Sequence, residues 1–287
     1  MVWHASLKVD YSLRTSPEGD KSVACFQHNG PLRILQSLYP EGPTVCHNVV
    51  VHPPGGLVSG DMIDMRFSVD DGAHGLVTTP GATRFYRSDG RPAMQRTSMT
   101  LNADSRMEWL PLESIAFSGC EAENRLTLLL APGAEMMGWD VTALGLPAAR
   151  QPFTSGHFCQ HLELPGVWLE RAKILASDLK LLDSPVGMAG HRCCATLFFA
   201  SGHALGRTRR QMLLDVARSV VQEHPLCGLE AVMELQAGVT SPNKQVVVVR
   251  VLAPVVEPAM TLLRAVWLSW RQALWNMKPN TLRIWST

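Results

Sequence analysis

The sequence of 287 residues lacks the features that mark several large classes of protein. Charged residues make up only 18% of the chain and the formal net charge is +1, so nothing favours binding to nucleic acid or to an anionic membrane. Long apolar runs are also missing, since VVVVRVLAPVV (246–256) is interrupted by Arg250 and Pro254. No segment offers the roughly 20 apolar residues that a membrane helix requires. We therefore expect neither nucleic acid nor a membrane as a partner.

Secretion signals and regularly spaced cysteines are absent as well. The N-terminal segment MVWHASLKVDYSLR carries Lys8, Asp10 and Arg14 where a secretory signal has an uninterrupted apolar core. The seven cysteines are odd in number and irregularly spaced, and Cys193 and Cys194 are adjacent, which is unsuited to ordinary disulfide geometry. The sequence therefore predicts a cytoplasmic protein with reduced thiols.

Motifs for nucleotide binding and catalysis are missing too. The segment HPPGGLVSGD (52–61) has the G-x-x-x-x-G spacing of a phosphate loop, but Asp61 stands where that loop needs lysine and would repel phosphate. No G-x-S-x-G, H-E-x-x-H or C-x-x-C occurs. Two groups of histidine and cysteine residues could bind a metal, but the spacing within each group does not require its side chains to converge. Metal ligation and simple burial therefore both stay open as interpretations. These groups are Cys46, His47 and His52, and then His191, Cys193 and Cys194.

Alternating apolar and polar residues predict strands over the first two-thirds of the chain. Residues 63–70 alternate with a period of two, and residues 98–103 do the same. The turn segments VDDGAHGLVTTP, LNADSRMEWLP and LAPGAEMMGWD align on Ala73, Ser105 and Ala134, which are 32 and 29 residues apart. Copies of this length indicate helically wound sheets that stack one layer on the next, a β-helix-like fold. An ordinary β-meander with turns at similar spacing stays open.

Two helices are predicted in the C-terminal third. In 205–223 apolar pairs recur every four residues, opposite a charged side. The segment 257–276 opens with Glu257 and Pro258, and proline suits the first turn of a helix. This second segment has a wide apolar face, which is a docking surface if exposed and core, the commoner outcome, if packed. The face consists of Leu262, Leu263, Val266, Trp267, Trp270 and Leu274.

Four carboxylates lie inside otherwise apolar segments, where a buried charge is costly without a partner. They are Asp61 after the glycine turn, Glu113 in WLPLES, Asp140 in GWD and Glu170 in VWLERAKI. In one interpretation each is paired, Glu170 with a nearby arginine and Asp61 with turn amides. In the other, they line a polar path through the core that a divalent cation visits. The residues alone favour the paired interpretation.

Taken together, the motifs resemble one known family, the urease accessory protein UreD, called UreH in some organisms. The similar segments occur in the same order, from about residue 6 to the C-terminus: HPPGGLVSGD (52–61), TTPGATRFYRS (78–88), MEWLPLESIAFSG (107–119), MMGWDVTALGLPA (136–148) and LRIWST (282–287). The resemblance implies a mainly β fold with helically wound sheets and a few α-helices. We expect one domain over 1–287, β-rich in 1–200 and helix-containing in 201–287.

The resemblance also implies a non-enzymatic role in urease maturation. A UreD-type protein is expected to assemble with UreF and the GTPase UreG on urease apoprotein, so nucleotide chemistry belongs to a partner. The complex delivers nickel to the urease active site, and the UreD-type chain binds none tightly but passes it on. By position, Asp61, Asp140 and Glu170 match acidic residues of the family's nickel path. Glu113 is an additional candidate for this path.

Within this interpretation, the prolines and glycines of 52–61 hold a tight corner that positions Asp61. The residues expected to form the corner are Pro53, Pro54, Gly55, Gly56 and Gly60. The sequence departs from the family pattern at Ser59, where a glycine is common, and at Leu112, which replaces an amide. A polar contact from the side chain at 112 is therefore lost.

Two alternative functions stay open. A pure scaffold would bridge UreF and urease while nickel travels elsewhere. A β-solenoid enzyme acting on polysaccharide would need two carboxyl groups that face one cleft. Asp61 and Asp64 are an odd number of residues apart, so on a regular strand they point to opposite faces, which disfavours the enzyme.

From the sequence we predict that Asp61→Ala leaves the chain folded and lowers the nickel content of urease in an activation assay, because a transit carboxylate is lost. Metal analysis of the activated urease measures the effect. Full activation by a soluble Asp61→Ala protein would remove this role.

Overall fold

Strands dominate the computed structural model, which describes residues 2–225 and 235–286. The prediction of a mainly β fold is therefore confirmed. In chain order the strands are β1 His4–Ser16, β2 Gly19–Asn29, β3 Ser37–Leu38, β4 Cys46–Val49, β5 Gly56–Leu57, β6 Met62–Val69, β7 His74–Thr78, β8 Thr83–Phe85, β9 Ala93–Leu101, β10 Arg106–Leu110, β11 Ser114–Ala116, β12 Cys120–Leu130, β13 Glu135–Leu146, β14 Gln151–Pro152, β15 Gly156–Leu164, β16 Trp168–Leu175, β17 Cys193–Ser201, β18 Gln236–Thr240 and β19 Val246–Ala253. The helices are α1 Leu179–Asp183, α2 Arg207–Glu223 and α3 Val256–Trp275, with 3-10 turns at Pro147–Ala149 and Arg283–Ser286.

The strands form two sheets that pack face to face. The first sheet has the order β16-β15-β12-β9-β6-β1-β2, and the main path of the second is β18-β19-β17-β13-β10-β7-β4-β3. Aromatic rings meet across the interface between the sheets. The ring centres of Phe67 and Trp109 lie 5.6 Å apart, and those of Trp168 and Phe198 lie 5.5 Å apart. The inner faces of the two sheets therefore share one apolar core.

Successive coils of the chain stack in parallel register. Strands β6, β9, β12 and β15 pair in parallel in the first sheet, as β4, β7, β10 and β13 do in the second. The aligned positions Ala73, Ser105 and Ala134 lie at the same corner of three coils. Arg106 N–H donates to the Ala73 carbonyl and Glu135 N–H to the Ser105 carbonyl, each at 2.9 Å. The predicted stacked winding is confirmed, and the meander is wrong for these strands.

The corner between coils needs a left-handed backbone residue in each layer. Gly72, Asp104 and Gly133 occupy it with φ of 69°, 54° and 85°. Glycine adopts this conformation without strain, and aspartate is among the few other residues that tolerate it. A Cβ at Gly133 would also collide with the Asp104 side chain of the neighbouring coil. The turn repeat in the sequence thus reflects a local backbone requirement.

The two predicted C-terminal helices are confirmed to within two residues at each end. The segments 205–223 and 257–276 are α2 and α3, while the position of the short α1 was not predicted. Pro258 lies in the first turn of α3, where its missing N–H breaks no helical hydrogen bond. Among the described helices, none is both long and apolar enough to cross a membrane.

The apolar face of α3 is core. It packs with α2 against the outer side of the second sheet and forms a second apolar cluster there. Five of its six side chains are fully buried and Leu274 is half-buried; the five are Leu262, Leu263, Val266, Trp267 and Trp270. The docking alternative for this face is therefore wrong.

A buried arginine also fixes α3 to the second sheet. The Nη1 and Nη2 atoms of Arg271 each donate to Glu41 at 2.8 Å, and its Nε lies 3.0 Å from a Glu108 oxygen. His47 and His74 contact the same two carboxylates, each at 2.9 Å. Burial opposes ionisation of Glu41, but the hydrogen bonds from His47 and Arg271 outweigh it and lower the pKa of Glu41 to about 2. The helix is thus held by charge as well as by apolar packing.

The predicted domain limits of 1–287 include Met1, 226–234 and Thr287, which lie outside the described residues. The last residue of the LRIWST motif is among them. The single domain over 1–287 stays a prediction.

We predict that Arg271→Met lowers the free energy of unfolding by about 3–5 kcal/mol, because it leaves Glu41 and Glu108 buried without their shared cation. Urea unfolding measures the change. The matched control is Arg218→Met on α2, whose arginine is 49% exposed and lies 4.0 Å from Asp215. The control should stay within about 0.5 kcal/mol of the parent protein. Equal stability of the two variants would contradict a structural role for the buried arginine.

Candidate functional site

The corner at 52–61 is built around the side chain of Asp61. One carboxylate oxygen accepts the Val58 N–H at 3.0 Å and the other accepts the Trp3 N–H at 3.2 Å. The residue is 1% exposed. Asp61 therefore holds the turn and ties it to the N-terminal strand, as the paired interpretation predicts. In Asp61→Ala these two N–H groups lose their acceptor, at a cost of roughly 1–3 kcal/mol each. The predicted nickel assay of this variant therefore needs an unfolding measurement beside it.

The glycines of this corner permit close backbone approach. Gly55 and Gly60 have φ of 71° and 79°. A Cβ at Gly56 would collide with the Tyr86 ring and lie 2.9 Å from the Arg84 carbonyl. The segment is thus packed tightly against the next coil, with Asp61 buried beneath it.

A row of side-chain amides crosses the interior of the first sheet. Gln95, Asn124 and Gln160 are direct neighbours on β9, β12 and β15. The Gln95 amide donates to the Asn124 carbonyl oxygen at 3.2 Å. Sequence reasoning missed this row, although Gln95 and Asn124 are 29 residues apart, which is the length of one coil.

Asp140 faces this row from β13 of the second sheet. Its oxygens accept the amides of Asn124 and Gln160, each at 2.6 Å, and the Thr142 hydroxyl at 3.2 Å. Each of these partners is neutral. Burial raises the pKa of Asp140 to about 6, although the three hydrogen bonds oppose the rise, and the Glu170 charge adds to it. Asp140 is therefore a buried carboxyl group that ionises close to neutral pH.

Glu170 lies close to Asp140, with a threonine between them. Asp140, Thr196 and Arg250 are direct neighbours on β13, β17 and β19. The Thr196 hydroxyl donates to one Glu170 oxygen at 3.0 Å, and Arg250 Nη2 donates to the other at 2.6 Å. Glu170 is thus paired with an arginine, as the paired interpretation predicts. Thr196 is a second polar neighbour that sequence reasoning missed.

Two cavities lie on either side of the hydrogen bond between Asp140 and Gln160. The first cavity, of about 160 Å³, is bordered by Asp140 and Asn124 in the interior and by exposed residues near its mouth, among them Arg84. The second cavity, of about 430 Å³, is lined on its polar side by Gln160, Glu170, Cys194, Thr196 and Arg250. The hydrogen bond between Asp140 and Gln160 stands between the two. The polar groups therefore form a nearly continuous track across the interior.

The remaining predicted residues lie off this track. Asp61 does not line either cavity, although His52 and Gly55 of its corner line the first. Glu113 lines a separate cavity of about 180 Å³ with Glu257, where burial raises its pKa and the charge of Glu257 adds to the rise. Its chain neighbour Leu112 borders the first cavity instead. The structure brings Asp140 and Glu170 together, but not Asp61 or Glu113 with them.

The two cysteine and histidine groups do not converge. His47 pairs with Glu41, the Cys46 thiol lies 3.6 Å from the Tyr39 hydroxyl, and His52 borders the first cavity. Cys193 is buried in the cluster beneath the helices, whereas Cys194 lines the second cavity. Within 2–225 and 235–286, no group of three or more His, Cys, Asp and Glu residues is arranged to hold a metal ion. A tight preformed site is thus absent from this part of the chain.

Comparison with known proteins identifies close relatives. The family described as "UreD urease accessory protein" matches residues 4–286. Proteins named "Urease accessory protein UreD" from Polaromonas sp. strain JS666, Polaromonas naphthalenivorans and Paracidovorax citrulli are 63%, 62% and 60% identical to this chain. In each case the alignment covers 100% of this chain and 100% of the relative.

The pKa of Asp140 predicts a stability that falls as pH rises. The carboxyl ionises near its ordinary pKa of 3.8 in the unfolded chain and near 6 in the folded one, so between these values only the folded state keeps the proton. Asp140 therefore adds about 3 kcal/mol to the free energy of unfolding below about pH 4. This contribution is lost as pH rises through about 6. Urea unfolding of the parent protein and of Asp140→Asn should show this difference between about pH 4 and 7. A pH-independent difference would contradict it.

Proposed function

This chain belongs to the UreD family of urease accessory proteins, and we propose that it passes nickel ions through its interior toward the urease active site. The ions travel along the track between the first and second cavities. The chain itself carries out no bond-making step and holds no metal tightly. In the same proposal it docks UreF, and through UreF the GTPase UreG, onto urease apoprotein in the cytoplasm.

The environment of Asp140 is the observation that supports this proposal best. The carboxyl is buried beside the first cavity, its partner Gln160 lines the second, and its hydrogen-bond partners are all neutral. A buried carboxylate serving only stability would be expected to have a cation beside it. A divalent ion in transit supplies that missing positive charge, and its arrival favours release of the proton.

The side-chain amides suit a path better than a binding site. Asn124 and Gln160 now present N–H groups to Asp140, but each amide also carries a carbonyl oxygen. Rotation about the last side-chain torsion exchanges one for the other, so that the oxygen faces an incoming ion. Oxygen ligands without a thiolate cluster hold nickel loosely enough for exchange.

Glu170 and Arg250 stand at the second cavity. An ion that reaches Glu170 must displace the Arg250 guanidinium, which holds the carboxylate at 2.6 Å. The arginine then returns when the ion leaves, so the carboxylate is never left without a cation. In this proposal the pair serves as an exchange point.

In this proposal Asp61 acts indirectly, by holding the corner beside the first cavity in place. It anchors the corner whose residues His52 and Gly55 border the first cavity. Direct contact between Asp61 and the ion stays a prediction, and so does the participation of Glu113 in the nickel path.

A pure assembly scaffold is the second candidate. It is favoured by the hydrogen bonds of Asp61 and Glu170, which are satisfied without any metal. The scaffold and the path make different demands on Asp140. If the chain is a path, nickel transport requires the charge of Asp140. If it is only a scaffold, the complex should form and urease should receive nickel without that charge.

We predict that Asp140→Asn and Glu170→Gln co-purify with UreF and urease apoprotein but lower the nickel content of urease by about tenfold or more, which is the usual scale when a metal-site contact is lost. The substitutions keep the size of the side chain and remove its charge. Metal analysis of the purified complex and of its urease measures both effects.

The matched control is Asp64→Asn, which removes a carboxylate that pairs with His4 at 2.6 Å outside the track. It should leave the nickel content unchanged. Intact complexes with full nickel content in both track variants would reject the path and leave the scaffold. Complexes that fail to form would show that these residues act in docking.

A further inference from the structure

His52 has an unexplained ring nitrogen at the first cavity. The residue lines this cavity, and its Nε2 atom is buried without a hydrogen-bond partner among the described residues. Its ring packs against the ring of Trp3, with the ring centres 5.1 Å apart. Buried polar atoms nearly always have a partner, so this nitrogen is free to bind a water molecule or a metal ion held in the cavity.

The local backbone fixes where this imidazole lies. The Gly55 N–H donates to the His52 carbonyl at 2.8 Å, which closes the turn. Pro53 follows directly, and the residue before a proline is restricted to extended conformations. Asp61 fastens the other end of the corner through the Val58 N–H. The rigid corner therefore presents His52 to the cavity as well as burying Asp61.

The state of the ring suits metal binding. Burial lowers the pKa of His52, and the nearby charge of Asp61 only partly opposes this. The other charged groups that face the cavity are Arg84 at the mouth and Asp140 in the interior. A neutral imidazole with a free lone pair is a ligand for nickel, zinc and copper ions, whereas magnesium and calcium prefer oxygen.

Apart from the Cys194 thiol at the second cavity, the other side chains of the track have no such preference. Carboxylate, amide and hydroxyl oxygens bind magnesium as readily as nickel, and they are the chemistry offered by Asp140, Asn124, Gln160 and Thr196. We propose that His52 is the nitrogen ligand that selects nickel over magnesium as ions enter the first cavity. This inference rests on the proposed function and adds a selectivity step to it.

The test compares His52→Gln with the parent chain in its complex with UreF and urease apoprotein. The complexes are loaded with nickel sulfate, with and without a large excess of magnesium chloride, and the nickel bound to urease is measured by metal analysis. Glutamine keeps a polar group near the position of Nε2 but offers oxygen in place of nitrogen. Magnesium should lower the nickel content about tenfold more in His52→Gln than in the parent, while the two agree without magnesium.

His161→Gln is the matched control. His161 has a ring nitrogen, Nδ1, that is likewise buried without a partner among the described residues. Its Nε2 pairs with Glu163 at 2.8 Å, and the residue lines neither cavity. This variant should respond to magnesium as the parent does. Urea unfolding checks that each variant is folded, and His52→Asn replaces His52→Gln if the latter is not.

The outcomes separate this inference from the proposed function. Equal magnesium sensitivity of His52→Gln and the parent, with low nickel content in Asp140→Asn, overturns the selectivity role and leaves the path intact. A loss of nickel in His52→Gln that is the same with and without magnesium also overturns it, because His52 would then act in transport or structure. Full nickel content in Asp140→Asn rejects the path itself.

Discussion

The parallel register between successive coils is the constraint on which the rest of the structure depends. Neighbouring strands lie about 4.8 Å apart, so a side chain in one coil touches the side chain at the same position of the next. This register sets Gln95, Asn124 and Gln160 side by side and lets Asp140 reach two of them from the opposite sheet. A polar track through an apolar core exists because the coils repeat polar residues at one position.

Much of the fold was predictable from local pattern. The turns at Ala73, Ser105 and Ala134 gave the coil length because each layer needs a left-handed corner residue. The C-terminal helices followed from their apolar periodicity. The contact between Arg271 and Glu108 was not predictable, because 163 residues separate them and no local sequence pattern indicates that they pair.

The candidate site was predictable only in part. The four carboxylates stood out because their sequence surroundings are apolar, but the partners of three of them differ in kind. They are backbone amides for Asp61, an arginine for Glu170 and neutral side chains for Asp140. The face of β13 on which Asp140 lies could not be predicted from the sequence. The first sheet covers one face of this strand and the helices cover the other, so its residues show little apolar and polar alternation. The corner at 52–61 resembled a phosphate loop because both require glycines for tight turns.

The buried arginine on α3 also has a consequence for the order of folding. Glu41 and Glu108 belong to the early coils, yet the guanidinium that neutralises them is made only when synthesis reaches residue 271. Until then, among the described residues, the two carboxylates have only His47 and His74 as ionisable partners, on the face of the second sheet that α3 later covers. A chain that stops before α3 therefore leaves both carboxylates without the guanidinium and the outer face of the second sheet without its α3 cover.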